Sequence, residues 1–180
     1  MVLARVQVQV FPPFHGAISA RWLRRVAEGA LATAAPGDDC CLSLVLADDA
    51  TVRQLNHAYR GLDETTDVLA FAFDHSGPYE GEGKPPSGVD IVPFPSVPEP
   101  GKYLGEVIIS YPQCVRQAKA QGHSVRQELA LLVVHGVLHL LGHDHASPEE
   151  EQGMRALENS ALQAVEREAA SRPKARMVRS

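Results

Sequence analysis

A chain of 180 residues, 44% hydrophobic and 22% charged, is long enough to bury one sizeable core and has the balance of a soluble globule. Its formal charge of -5 argues against a broad surface for naked nucleic acid, so any such affinity has to come from a local patch or from a partner. No apolar run reaches the ~18 to 20 residues of a membrane span and the first residues lack a signal-peptide pattern, so the expected location is the cytoplasm, with no membrane contact.

Val6, Val8 and Val10 alternate with glutamines, which predicts a half-buried strand ended by Pro12 and Pro13. From Ser19, a candidate N-cap, the residues Trp22, Leu23, Val26, Ala30 and Leu31 recur at helical spacing, with Arg21, Arg24 and Arg25 on the solvated side. Pro36 to Asp39 is turn chemistry, and the run Cys41 to Leu46 predicts an interior strand. Asp48 or Asp49 caps a short helix through Tyr59 that ends at Arg60 and Gly61. Thr66 to Phe73 is the third strand, in which Asp67 reads as a hydrogen-bond acceptor at the strand entry. Asp74 to Lys102 is rich in Pro and Gly and predicts a long loop, either a lid over a site or an unstructured insertion.

Leu104 to Ser110 is the fourth strand, with Glu106 on its more polar face. Pro112 opens a helix that Gly122 stops, with Arg116 and Lys119 as its basic residues. Ser124 and Gln127 form a capping box for the next helix. Ser147, Pro148 and Glu150 repeat that start signal for a last helix with Met154, Leu157, Ala161 and Val165 inward. Ser171 to Ser180 is a basic, aperiodic tail. Cys40, Cys41 and Cys114 are odd in number, contain no C-x-x-C unit, and read as reduced packing residues.

The chemistry concentrates in Glu128 to His145, E-L-A-L-L-V-V-H-G-V-L-H-L-L-G-H-D-H. Its apolar residues are too continuous for a surface helix and predict one buried on most sides. His135 and His139, four residues apart, project from one face one turn apart. Gly142 can take positive φ, end the helix and let the chain return His145 to the same point. A single histidine in an apolar helix is ordinarily a core residue with one hydrogen bond. Three at H-x3-H-x5-H are different, because unpartnered burial costs roughly 1 to 3 kcal/mol each, whereas a metal uses all three lone pairs. Two ligands from a helix and one from the following turn leave a fourth tetrahedral position for water, the pattern of a hydrolytic zinc site. Zinc proteases carry H-E-x-x-H on such a helix, but Gly136 stands where their general-base glutamate would be.

The run H-G-V-L-H-L-L-G-H-D-H closely resembles the signature of the YbeY family of bacterial endoribonucleases. Further matches follow in the family's order: N-H-A-Y-R from Asn56 to Arg60, T-D-V-L-A-F from Thr66 to Phe71, and L-G-E-V-I-I-S from Leu104 to Ser110. With the flanking elements, the resemblance extends from Val6 to Leu162. Two departures stand out: Ala70 replaces the family's usual serine, and a long segment is inserted after Phe73.

Periodicity gives the order β-α-β-α-β-β-α-α-α in one α/β domain spanning residues 1–180, with 74–102 as an insertion and 171–180 as a flexible tail. The resemblance implies a mixed sheet of about four strands covered by helices, with the H-x3-H helix buried at the centre. It also implies a single-strand-specific, metal-dependent endoribonuclease of ribosomal RNA processing, including maturation of the 16S rRNA 3′ end, and of ribosome quality control. His135, His139 and His145 would hold one Zn2+ per chain. Arg60 and His135 are the residues assigned to catalysis, with Arg60 also meeting a substrate phosphate. On its own an arginine after a helix is as easily a dipole partner or a surface charge. The expected partners are single-stranded ribosomal RNA and the ribosome or its small-subunit proteins, with no DNA. The basic tail is an alternative contact for RNA or ribosome. Two other classes remain: a zinc protease or small-molecule metallohydrolase, and a noncatalytic ribosome-associated factor whose metal is structural.

Overall fold

The computed structural model describes residues 4–73 and 101–171. The strand Cys40–Ala47 (β2) is apolar on both faces: Leu42, Leu44 and Leu46 enter one core, Val45 and Ala47 the other. A strand of that kind must lie inside a sheet. It pairs in parallel with Arg5–Val10 (β1) on one side. On the other side it pairs in parallel with Lys102–Ser110 (β4), and Val68–Ala72 (β3) lies beyond β4 as the antiparallel edge strand. The sheet is therefore mixed and four-stranded, in the order β1-β2-β4-β3.

The helices are Ala20–Ala34 (α1), Asp49–Arg60 (α2), Tyr111–Gln121 (α3), Val125–Leu140 (α4) and Pro148–Ser171 (α5). The larger core takes in buried residues of α1, α3, α4 and α5 with Leu42, Leu44, Leu46, Val107 and Ile109 of the sheet. The smaller joins Val52 and Leu55 of α2 to Val45, Leu69 and Ile108 on the opposite face. The single-domain α/β architecture expected from the sequence is the one observed, with α4 at the centre of the larger core. No helix among the described residues is long and apolar enough to cross a membrane.

The start signals at Ser19 and Asp48 act as read, each accepting a hydrogen bond from a first-turn amide, and Ser110, expected only as the end of a strand, does the same before α3. Ser124 and Gln127 close a reciprocal capping box, and Ser147 and Glu150 do the same before α5.

Three differences from the expected elements each follow from contacts between residues distant in the chain. β3 begins at Val68 rather than Thr66, because Asp67 is occupied as an acceptor: its carboxylate takes the Val68 amide at 2.8 Å and Gln117 at 3.1 Å, and its carbonyl takes the Ser110 amide. Lys102, expected in the loop, opens β4 and donates its amide to the Asp39 carbonyl at 2.9 Å. Arg24, placed on a solvated face, donates Nε to the Val6 carbonyl at 2.9 Å and ties α1 to β1. The expected insertion, apart from Gly101 and Lys102, and the tail after Ser171 lie outside the described residues. All three cysteines are free, and burial pushes the Cys114 thiol up to about 12, consistent with an inert packing role.

Asp49 joins three elements. Its carboxylate accepts two hydrogen bonds from Arg116, both at 2.9 Å, and one from the Ser110 hydroxyl at 2.7 Å. The Arg116 hydrogen bonds foremost, then Ser110, outweigh burial and hold Asp49 below its ordinary 3.8. For a depressed carboxylate the stabilisation is complete above the ordinary value and disappears as pH falls through the lower native one. Asp49→Asn is expected to lower Tm at neutral pH by less than about 4 °C, since the pair is partly solvated, and to lose that difference at strongly acid pH. Thermal melts of both proteins across pH 2 to 7 check this (a range of about 5 units bracketing the carboxylates); a difference that persists undiminished at the acid end contradicts the linkage.

Candidate metal centre

α4 is the element on which the site is built. Ten of its residues are buried, from Glu128 to Leu140. At ~1.5 to 3 kcal/mol for each fully buried large apolar side chain, the helix is anchored by packing rather than by its own propensity. Glu128, the buried acid in its first turn, is paired with His123. The other end is closed by Gly142 at φ 90°. Its amide bonds the His139 carbonyl and the His143 amide bonds the Leu138 carbonyl, both at 3.0 Å. This two-bond termination reverses the chain within two residues, and the reversal is what returns His145 to the helix.

His135, His139 and His145 converge, with one ring nitrogen from each lying within 4.8 Å of the other two. The Nε2 atoms of His135 and His139 are 3.0 Å apart. Ring centroids are separated by 4.6 Å for His135 and His139, 5.3 Å for His139 and His145, and 5.8 Å for His135 and His145. Burial first, then the neighbouring His135 and His145, hold the His139 pKa below its ordinary value and so favour the neutral, ligand-competent imidazole. Three neutral nitrogen donors facing one point suit a borderline cation such as zinc. His143, only four residues past His139, is not a member of this group.

The position after His135 is closed to a general base. A Cβ on Gly136 would come within 2.5 Å of Val107 Cγ1, and Val107 is fully buried in β4. Gly136 thus lets α4 lie close against the sheet, and the glutamate of a zinc protease would have to displace that contact. The set is also not a closed structural one: among the described residues it holds three ligands and no cysteine.

Arg60 is the exposed last residue of α2, whose buried residues Val52 and Leu55 pack on the other face of the sheet from α4. Among the described residues its side chain takes part in no hydrogen bond or ion pair. The segment after it is fixed: Gly61 takes φ 71°, Asn56 Nδ2 donates to the Glu64 carbonyl at 2.9 Å, and Arg53 grips Asp63 with two bonds of 2.8 and 3.0 Å. The base of Arg60 is therefore anchored while its guanidinium faces solvent. Glu106 lies partly buried beside Tyr103, with its carboxyl pushed up by burial. Ala70 faces the α4 side of β3 as a partly buried packing residue.

One neighbour of the triad is absent from the sequence reading. Glu158 of α5 lies 2.7 Å from His135 Nδ1 through Oε1. The available signal was its register: Glu158 falls four residues after Met154 and three before Ala161, on the stripe that enters the core.

An α/β domain with a mixed four-stranded sheet, whose buried helix and following turn bring three histidines together as a candidate metal centre, is the class that fold and site define. The chain matches the family model described as Endoribonuclease YbeY over residues 15–166, and it belongs to the YbeY family. Among its relatives, an endoribonuclease YbeY from Dehalococcoides mccartyi is 41% identical over 160 residues, covering 89% of this chain and 96% of that protein. One from Moorella thermoacetica is 42% identical over 145 residues, covering 79% and 84%. A protein of Thermotoga maritima with a solution structure shares the fold at a TM-score of 0.57 and 18% identity, covering 97% of this chain and 99% of that one.

Proposed function

We propose that this protein is a metal-dependent endoribonuclease that cuts single-stranded RNA in ribosomal RNA processing, including 16S rRNA 3′-end maturation, and in ribosome quality control. The observation that carries the reading is the convergence of His135, His139 and His145 in a YbeY-family chain. These three residues would hold one zinc ion. When bound, zinc with three imidazole ligands and an open position supplies Lewis acidity and access to a nucleophile at neutral pH.

The protein's own residues have narrower tasks. His135 and His139 are held rigid by α4, and His145 by the reversal at Gly142, so the donor set is organised before substrate arrives. Cleaving a phosphodiester builds negative charge on phosphate oxygens. An exposed guanidinium meets that charge with two parallel donors, and Arg60 is assigned this role. With Gly136 in van der Waals reach of Val107, no carboxylate adjoins the triad from that helix position. The net charge of -5 favours a guided encounter, with the ribosome or a small-subunit protein presenting the RNA.

Arg60→Lys and Arg60→Ala are expected to stay folded and to keep the metal, but to cut single-stranded RNA at least roughly tenfold more slowly, which is ~1.4 kcal/mol of barrier. The check is metal content by elemental mass spectrometry together with cleavage rates on single-stranded and duplex RNA, all from one preparation. Wild-type rates in both variants would remove Arg60 from the mechanism. Equal cutting of duplex RNA would remove the single-strand specificity.

A further inference from the structure

We infer that Glu158 is a positioning residue for the candidate metal centre, accepting the Nδ1 proton of His135 and so turning the Nε2 lone pair of that ring toward His139 and His145. The inference rests on the metal-centre reading and extends it to a residue on a different helix.

Both ring nitrogens of His135 have side-chain partners: Nδ1 faces Glu158 Oε1 at 2.7 Å, and Nε2 faces His139 Nε2 at 3.0 Å. A neutral imidazole carries a single N–H. A carboxylate can only accept, so it retains that proton on Nδ1 and leaves Nε2 as the bare donor. The opposite tautomer would leave the carboxylate facing a lone pair and cap with hydrogen the nitrogen that has to bind.

Burial makes the contact a directed one. The Glu158 side chain is 14% exposed and shares its stripe with buried Met154 and Ala161. A charge there needs a partner, and the hydrogen bond to His135 provides it. The comparison within the triad points the same way. The acid beside His145 is its own neighbour Asp144, at 3.6 Å from Nδ1, with both side chains more than half exposed. That contact fixes little. The turn that delivers His145 also starts α5 at Pro148, so one chain reversal supplies the third ligand and then returns Glu158 to the first.

The test uses the full chain and two readouts other than RNA cleavage. In metal-free protein, above the imidazole titration range, nitrogen-15 correlation spectra of the histidine side chains report which ring nitrogen carries the proton. Wild type is expected to show His135 protonated on Nδ1. Glu158→Leu, which removes the acceptor at similar size, is expected to give a mixture or the Nε2 form. Glu158→Gln keeps an acceptor oxygen and is expected to retain most of the wild-type signature. Zinc affinity by chelator competition should fall by ~10- to 100-fold in Glu158→Leu and by much less in Glu158→Gln, as for other outer partners of ligating histidines.

Wild-type protein with His135 protonated on Nε2 overturns the inference, even if Glu158→Leu fails to fold. Unchanged tautomer and affinity in a folded Glu158→Leu overturn it as well. A wild-type chain that binds no zinc overturns the metal-centre reading instead, and the spectra still decide whether Glu158 sets the His135 tautomer.

Discussion

His139→Ala is expected to empty the metal centre and abolish measurable RNA cleavage while leaving the fold in place, and His143→Ala is expected to do neither. His139 occupies the middle of the set: its ring lies nearest to both other rings, at 4.6 Å from His135 and 5.3 Å from His145. Two remaining imidazoles on separate segments cannot replace it. The loss of affinity should therefore exceed the ~10- to 100-fold that removal of an outer partner causes. The fold survives because α4 is anchored by its buried apolar residues, and alanine is at least as good a helix former as histidine. His143 provides the control, since it sits in the same turn but outside the converging group. Elemental analysis, circular dichroism and RNA cleavage on the two variants check the prediction. A metal-free His143→Ala would overturn the assignment of the third ligand to His145 and not His143, and an unfolded His139→Ala would make the metal structural.

Gly105→Ala is expected to destabilise the domain by about 3 kcal/mol or more, a fall in Tm of roughly 6 to 12 °C for a chain of this size. Two causes act together. Gly105 has φ 133°, a conformation that residues with a Cβ rarely adopt, and a Cβ there would overlap the carbonyl oxygen of Phe71 on the neighbouring strand. The obstruction is backbone, so no rotamer change relieves it. The register explains the demand: Leu42 pairs with Gly105 where Cys41 pairs with Tyr103, so the β2–β4 ladder carries a bulge at Leu104, and β3 closes against its other side. Gly153→Ala is the control. Its Cβ would meet nothing within 4 Å in α5, and the change should be neutral or stabilising by up to ~1 kcal/mol. Thermal unfolding followed by circular dichroism measures both. A Gly105→Ala melt within a degree or two of wild type would show that β3 yields without loss.

Local rules account for most of what was legible in the chain. The caps at Ser19, Asp48, Ser124 and Ser147, and the glycine ends at Gly61, Gly122 and Gly142, depend on neighbours a few residues away, and sequence records those directly. The histidine motif belongs to the same class, because a helix of fixed pitch and one turn suffice to bring His135, His139 and His145 together. The boundary differences have the opposite origin. Asp67 leaves β3 because Gln117 and Ser110, far along the chain, take its polar atoms, and Arg24 turns inward because an open carbonyl of β1 lies within its reach.

What the sequence by itself determined is thus the set of elements, their order, the buried character of α4 and the three converging histidines, all consequences of periodicity and short-range hydrogen bonding. Only the tertiary structure decided the order β1-β2-β4-β3, the closeness of Gly136 to Val107, the packing of α2 on the far face from α4, and the contact of Glu158 with His135. Each of these depends on which side chains meet across the core. That is settled by the packing of whole helices against a twisted sheet, and no local spacing in the chain encodes it.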